Sequence, residues 1–172
     1  MSGSLLTKED LAELLRKQPP LVEGMIDPHL QVGPDGIDLT VRLVEGFRSA
    51  GVIDFDNTSR ALAQTEKMEF DQDDYVFLNQ GAYKIVFNEV VNIPNDLIAF
   101  AFPRSTLLRC GASSKSAIWD SGYSGRSTSL LVVFNPNGLK MKINARIVQL
   151  IFFKTTKPVK ETYSGIYQME NV

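Results

Sequence analysis

From Ile37 onward the chain is a succession of short runs rich in β-branched and aromatic residues, each cut off by Gly, Asn, Asp or Pro. This punctuation favours antiparallel pairing over alternating strand–helix–strand units, which need longer connections. The runs predicted as strands are Ile37 to Val44, Val52 to Phe55, Tyr75 to Leu78, Ala82 to Phe87, Leu97 to Phe102, Ser127 to Phe134, Leu139 to Ile143 and Arg146 to Lys154. Together they predict a mainly β domain, a sandwich, barrel or jelly roll. One short helix precedes them: Thr7 is placed to cap it, Asp10 follows three residues on, and Leu11, Leu14 and Leu15 fall at helical spacing before Pro19 and Pro20 stop it.

With 172 residues, 44% of them hydrophobic and 22% charged, the chain has the length and composition of one globular domain with a single core. No apolar run approaches the roughly 18 residues needed to cross a bilayer. The opening "MSGSLLTKEDLAELL" has no basic segment leading into an apolar stretch, so no secretory signal is read there and a cytoplasmic location is expected. A net charge of -2 argues against broad affinity for nucleic acid. One cysteine, Cys110, rules out an internal disulfide and is expected to pack. The single histidine, His29, excludes multi-histidine zinc sites.

Two stretches carry possible chemistry. "AIWDSGYSGRSTSLLVV", from Ala117, sets Asp120 and Tyr123 in a turn that Gly122 and Gly125 alone would suffice to form; taken in isolation, a solvated aspartate on a surface hairpin is the simpler account. "PRSTLLRCG", from Pro103, predicts one helical turn over Arg104 to Arg109 opening directly from a strand. Exposed backbone N–H groups there, with Arg104, Ser105 and Thr106, would converge on a phosphate chain, although an ordinary capped turn has the same appearance.

Taken in order, "GIDLTV", "PRSTLLRCG", "AIWDSGYSG" and "NARIVQLIFF" resemble the dUTP pyrophosphatase (dUTPase) and dCTP deaminase superfamily, and "IDPHLQVGPDGIDL" and "YSGIYQ" extend the likeness over most of the chain. The resemblance implies a distorted jelly roll assembled as a homotrimer with sites at subunit interfaces. It also implies a deoxypyrimidine nucleoside triphosphate as substrate, with Mg²⁺ carried mainly on its phosphates. Asp120 matches the carboxylate that activates the attacking water, and Tyr123 the aromatic that packs on the deoxyribose. The hairpin backbone from Ala117 to Tyr123 matches the segment that reads uracil. Arg104, Ser105 and Thr106 match the phosphate-binding motif, and Gln149 a polar residue on the phosphate chain. Asp38 matches an aspartate near the metal and its waters, expected in the outer shell only. Arg146 is assigned to the trimer interface or the site without deciding between them.

Deaminases of this superfamily share Ser105 and Arg109 of that pattern but use a glutamate about ten residues beyond the aspartate as a proton shuttle. Here the count from Asp120 reaches Leu130, or Val132 if two residues are inserted, and neither side chain can move a proton. The expected reaction is therefore dUTP hydrolysis to dUMP and pyrophosphate. A dCTP deaminase, a bifunctional deaminase and hydrolase, and a non-catalytic nucleotide-sensing module are the alternatives. The chain departs from many dUTPases in having Ser124 where an arginine is frequent and in its deaminase-type tail. Residues 1–160 are expected to form the domain, with 161–172 a flexible lid that brings Tyr167 and Gln168 to the substrate.

Overall fold

The computed structural model describes residues 4–172; the first three residues of the stretch read for a secretory signal lie outside it. The elements run β1 (Ser4–Leu5), α1 (Lys8–Leu14), β2 (Val22–Glu23), α2 (Pro28–Gln31), β3 (Ile37–Phe47), β4 (Thr65–Lys67), β5 (Tyr75–Leu78), β6 (Gly81–Phe87), β7 (Val90–Asn92) and β8 (Leu97–Pro103). Then come α3 (Ser105–Arg109), β9 (Ala112–Lys115), β10 (Ser124–Gly125), β11 (Thr128–Val133), β12 (Leu139–Lys142) and β13 (Arg146–Lys154). Every strand pairing is antiparallel, as the short punctuated runs require.

An eight-stranded sheet follows the order β1-β13-β3-β6-β11-β9, with β4 added on β3 and β8 on β13. A three-stranded sheet, β10-β7-β2, and the β12-β5 pair complete the architecture. β11 shows the period-2 signature plainly: Ser129, Leu131 and Val133 face inward while Thr128, Leu130 and Val132 are half-exposed. Ile37, Leu39, Val41, Ile85, Phe87, Leu131, Val148, Leu150 and Phe152 fill one core. Helix α1 closes one side of it through Leu11, which is fully buried. Its start is built as the sequence predicts, the Thr7 backbone N–H donating to Asp10 Oδ2 at 2.8 Å.

β3 and β13 approach closely where Gly36 enters β3. A Cβ there would lie 2.5 Å from the Leu150 carbonyl oxygen, so only glycine fits without moving a strand. The pairing sets Asp38 opposite Gln149 and Thr40 opposite Arg146, gathering polar residues from two distant segments of sequence.

Two expectations fail. Val52 to Phe55 is not a strand: only Val52 bridges, to Ala61, and the loop is held instead by Asp54 and Asp56 accepting hydrogen bonds from Thr58 and Ser59, with Ile53 and Phe55 fully exposed. Cys110 is exposed rather than packed, because it ends α3 on the surface while Leu107 turns into the core.

Candidate functional site

The turn Asp120–Tyr123 is pinned from both sides. Ser121 Oγ donates to the Leu97 carbonyl at 2.6 Å, Gly122 N to the Ile93 carbonyl at 2.9 Å, and Ile93 N to the Tyr123 carbonyl at 2.8 Å. Gly122 has φ +85°, the left-handed conformation that a glycine allows here. Upstream, Trp119 is buried, exchanges two backbone hydrogen bonds with Ala99, and donates its indole N–H to Ser127 Oγ at 3.0 Å. The result is a rigid platform that leaves the Asp120 side chain in solvent, with no hydrogen bond or ion pair among the described residues.

Asp120, Ala117, Tyr123 and Tyr167 line a cavity of about 660 Å³, together with Leu130 from β11 and Lys84 and Lys115 from β6 and β9. Leu130 thus stands in Asp120's own cavity, at the position where the deaminase count would place an acid. Val132, the other counted position, does not line it.

The last residues of the chain dock on this hairpin. Tyr163 N donates to the Ser121 carbonyl, Met169 N to the Ser124 carbonyl and Arg126 N to the Glu170 carbonyl, at 2.7–2.9 Å. Gln168 does not line the cavity: its amide accepts from Ser124 N and donates to the Gly122 carbonyl. The Tyr163 ring meets Tyr123 edge to face at 5.7 Å. The Tyr123 hydroxyl donates to Glu170 Oε1 at 2.9 Å. Burial, reinforced by that carboxylate, pushes Tyr123 ionisation far above the ordinary phenol range, and burial likewise raises the Glu170 carboxyl. Tyr123 is therefore a fixed, protonated donor.

A second cleft, about 520 Å³, is lined by Arg104, Ser105, Asp38, Arg146 and Gln149 and shares no residue with the first. Arg104 caps α3, its own N–H bonded to the Ile147 carbonyl, so the cap is neither Ser105 nor Thr106. Ser105 and Thr106 are both exposed, and Thr106 lies outside the cleft. Asp38 Oδ2 bridges two guanidiniums, Arg104 Nε at 3.0 Å and Arg146 at 3.3 Å. Burial pushes the Asp38 carboxyl above its ordinary range against the pull of both arginines. Arg109 folds back on the Ser105 carbonyl.

All but two of the expected site residues thus divide between two clefts that one chain does not unite: Ala117, Asp120, Tyr123 and Tyr167 line the first, and Asp38, Arg104, Ser105 and Gln149 the second, while Thr106 and Gln168 line neither. Among the described residues no group of three His, Cys, Asp or Glu side chains is gathered to hold a metal ion. The sequence reading missed α2, although Asp27-Pro28 is a helix-start signal, with Asp27 Oδ1 accepting from His29 N. It also missed Glu170, Lys84 and Lys115, for which no local pattern exists.

Residues 5–155 match the model of a family described as dCTP deaminase-like. The chain belongs to that family. A probable deoxyuridine 5'-triphosphate nucleotidohydrolase from Methanosarcina mazei is 47% identical over 168 residues, 98% of each chain. Another so named, from Archaeoglobus fulgidus, is 42% identical over 98% of each. The deoxyuridine 5'-triphosphate nucleotidohydrolase of Methanocaldococcus jannaschii is 39% identical, covering 80% of this chain and 87% of its own. Among solved structures, the 2'-deoxycytidine 5'-triphosphate deaminase of Agrobacterium tumefaciens shares the fold, with a TM-score of 0.68 at 16% identity over 90% of this chain and 49% of the deaminase chain. The family's β architecture agrees with the fold expected from sequence. No helix among the described residues is long and apolar enough to cross a membrane.

Proposed function

We propose that the protein hydrolyses dUTP to dUMP and pyrophosphate. The observation that carries this reading is the solvent-facing Asp120 carboxylate in a cavity whose neighbouring strand presents Leu130, so that strand carries no acid at the position deamination would use. The names of relatives matching nearly end to end support the same substrate.

Asp120 takes the proton of a water aligned with the α-phosphorus, and pyrophosphate leaves. The hairpin backbone from Ala117 reads the uracil edge, and Tyr123 packs on the deoxyribose where a 2'-hydroxyl would clash. Arg104, Ser105, Thr106 and Gln149 hold the phosphates and offset their charge. The separation of the two clefts supports an assembly in which the hairpin of one copy faces the arginine cleft of the next, and the family resemblance makes that assembly a homotrimer. The residues fit Mg²⁺ bound chiefly through the triphosphate: Asp38, ion-paired twice, would hold it only from the outer shell. When bound, the ion neutralises phosphate charge during bond cleavage. Tyr167 and Gln168 belong to a closing tail, residues 161–172. Soluble cytoplasmic nucleotide metabolism, without a nucleic-acid or membrane partner, is the matching context.

Incubation with dUTP and, separately, dCTP in the presence of Mg²⁺, resolved by chromatography, tests the reading. dUMP and pyrophosphate are expected from dUTP, and unchanged dCTP. Formation of dUTP or dUMP from dCTP would overturn it in favour of a deaminase, and inertness toward both in favour of a sensing module.

A further inference from the structure

Glu89, between β6 and β7, is fully buried, and among the described residues no cation contacts it. Its carboxylate instead receives three neutral donors. Thr40 N reaches Oε2 at 2.9 Å, while the Thr40 hydroxyl and Gln31 Nε2 reach Oε1 at 2.6 and 2.7 Å. Asn88 Nδ2 donates to the Thr40 hydroxyl at 2.9 Å, which turns the hydroxyl proton toward Glu89. Gln31 is equally committed: Nε2 also donates to the Asp38 carbonyl at 2.9 Å, and Oε1 accepts from Asp27 N at 3.0 Å. Those partners fix which end of the amide faces Glu89.

A buried carboxylate costs stability wherever it stands, and an apolar side chain would fill the same volume without that cost. What the network supplies is position. It grips β3 at two backbone points on either side of Leu39, the Thr40 N–H directly and the Asp38 carbonyl through Gln31. The second of those points belongs to Asp38 itself, whose carboxylate orients Arg104 and Arg146. Arg146 also donates to the Leu30 carbonyl, adjacent to Gln31, so α2 holds both the strand and one of the arginines.

We infer that Glu89 and Gln31 are positioning residues for the phosphate cleft, fixing the backbone at Asp38 and through it the direction of the Arg104 and Arg146 guanidiniums. This rests on the cleft's reading as the polyphosphate half of the site, and it requires no turnover to test. The satisfied network is stiff because every member is bonded, and a small displacement of a guanidinium is enough to lose a bidentate contact with phosphate.

Two near-isosteric variants separate position from folding. Gln31→Met removes the donor to Asp38 and Glu89 while keeping the side-chain length. Glu89→Gln sets an amide N–H against one of the three donors. Inorganic tripolyphosphate binding by calorimetry is compared with deoxyuridine binding by NMR, alongside thermal unfolding. A folded variant is expected to lose about tenfold or more in tripolyphosphate affinity and to bind deoxyuridine as before, the same pattern expected of Arg104→Ala. With dUTP, KM should rise more than kcat falls. Unchanged tripolyphosphate affinity in both folded variants, equal loss of both ligands, failure of both variants to fold, or no tripolyphosphate binding by the unmodified protein would each overturn the inference. A protein that binds tripolyphosphate in the expected pattern yet leaves dUTP intact would uphold the positioning role and reject only the hydrolase reading.

Discussion

Tyr123 and Glu170 are joined by a 2.9 Å hydrogen bond that ties the buried face of the hairpin to the end of the chain. The donor comes from the turn that presents Asp120, and the acceptor from a tail with no regular secondary structure. Tyr163, stacked edge-on against the same ring, makes the junction aromatic on one side and ionic on the other. The geometry of the tail is therefore coupled to the residue assigned to the sugar.

Removing the charge at that junction should make Tyr123 easier to ionise. Burial is the larger cause of its raised value and the Glu170 carboxylate the next. Glu170→Gln should thus leave Tyr123 ionising above the ordinary phenol range, but at a lower pH than in the unmodified protein. Spectrophotometric titration of tyrosinate checks this; a curve superimposable on that of the unmodified protein would deny the coupling. Because the native state holds a proton that the unfolded chain releases near pH 10, Tyr123 should make stability fall as pH rises beyond about 10.

Asp120→Asn should preserve the fold, since the carboxylate is exposed and bonded to nothing among the described residues, and surface changes of this kind stay within about 0.5 kcal/mol. Turnover of dUTP should nevertheless drop by about 10²-fold or more. Steady-state kinetics beside a melting curve separates the two. Equal turnover would return Asp120 to a solvated turn residue.

The β architecture was legible because burial imposes period 2 on strands such as β11, and because turn residues mark their ends: β5 and β13 have the bounds their sequences announce. "VIDF" carries the same composition but finds no partner strand, so Ile53 and Phe55 stay in solvent. β9, "ASSK", has the opposite history: its serines have little strand preference, and pairing with β11 makes the strand. The division of the site into two clefts was not legible, since motif order along a chain does not say which face each motif reaches. Glu89 in "NEVVN" reads as a solvated turn charge, and only the tertiary approach of α2 and β3 buries it.

If the hairpin of one copy works with the arginine cleft of another, two inactive variants should complement. Asp120→Asn and Arg104→Ala would each be nearly inactive alone. Coexpressed, they should regain up to about a quarter of full activity, because a site assembled at random from two copies takes one intact cleft from each with that frequency. Activity that stays at the level of the single variants would place both clefts' work within one chain.

Tyr123→Ala should erode the preference for dUTP over UTP if its ring is the one proposed to pack on the deoxyribose. It should also lower stability by about 3 kcal/mol or more, since the ring is buried and packed on Tyr163. The ratio of kcat/KM for the two nucleotides is the decisive quantity, and an unaltered ratio assigns sugar choice elsewhere.

Truncation after Lys160 tests the tail as a lid. Ordering it costs about 1–2 kcal/mol of backbone entropy per residue, while each exposed hydrogen bond returns only about 0.5–1.5 kcal/mol, so docking is close to balanced without substrate. The melting temperature should accordingly move by only a few degrees. Catalysis should suffer more. The tail supplies Tyr163, Tyr167, Glu170 and Asn171 to the wall of Asp120's cavity, and without them water reaches the charges that hydrolysis must align. A loss of at least about tenfold in kcat/KM for dUTP, equivalent to about 1.4 kcal/mol of transition-state stabilisation, is expected. Full activity in the truncated protein would leave these residues as packing on the hairpin and nothing more.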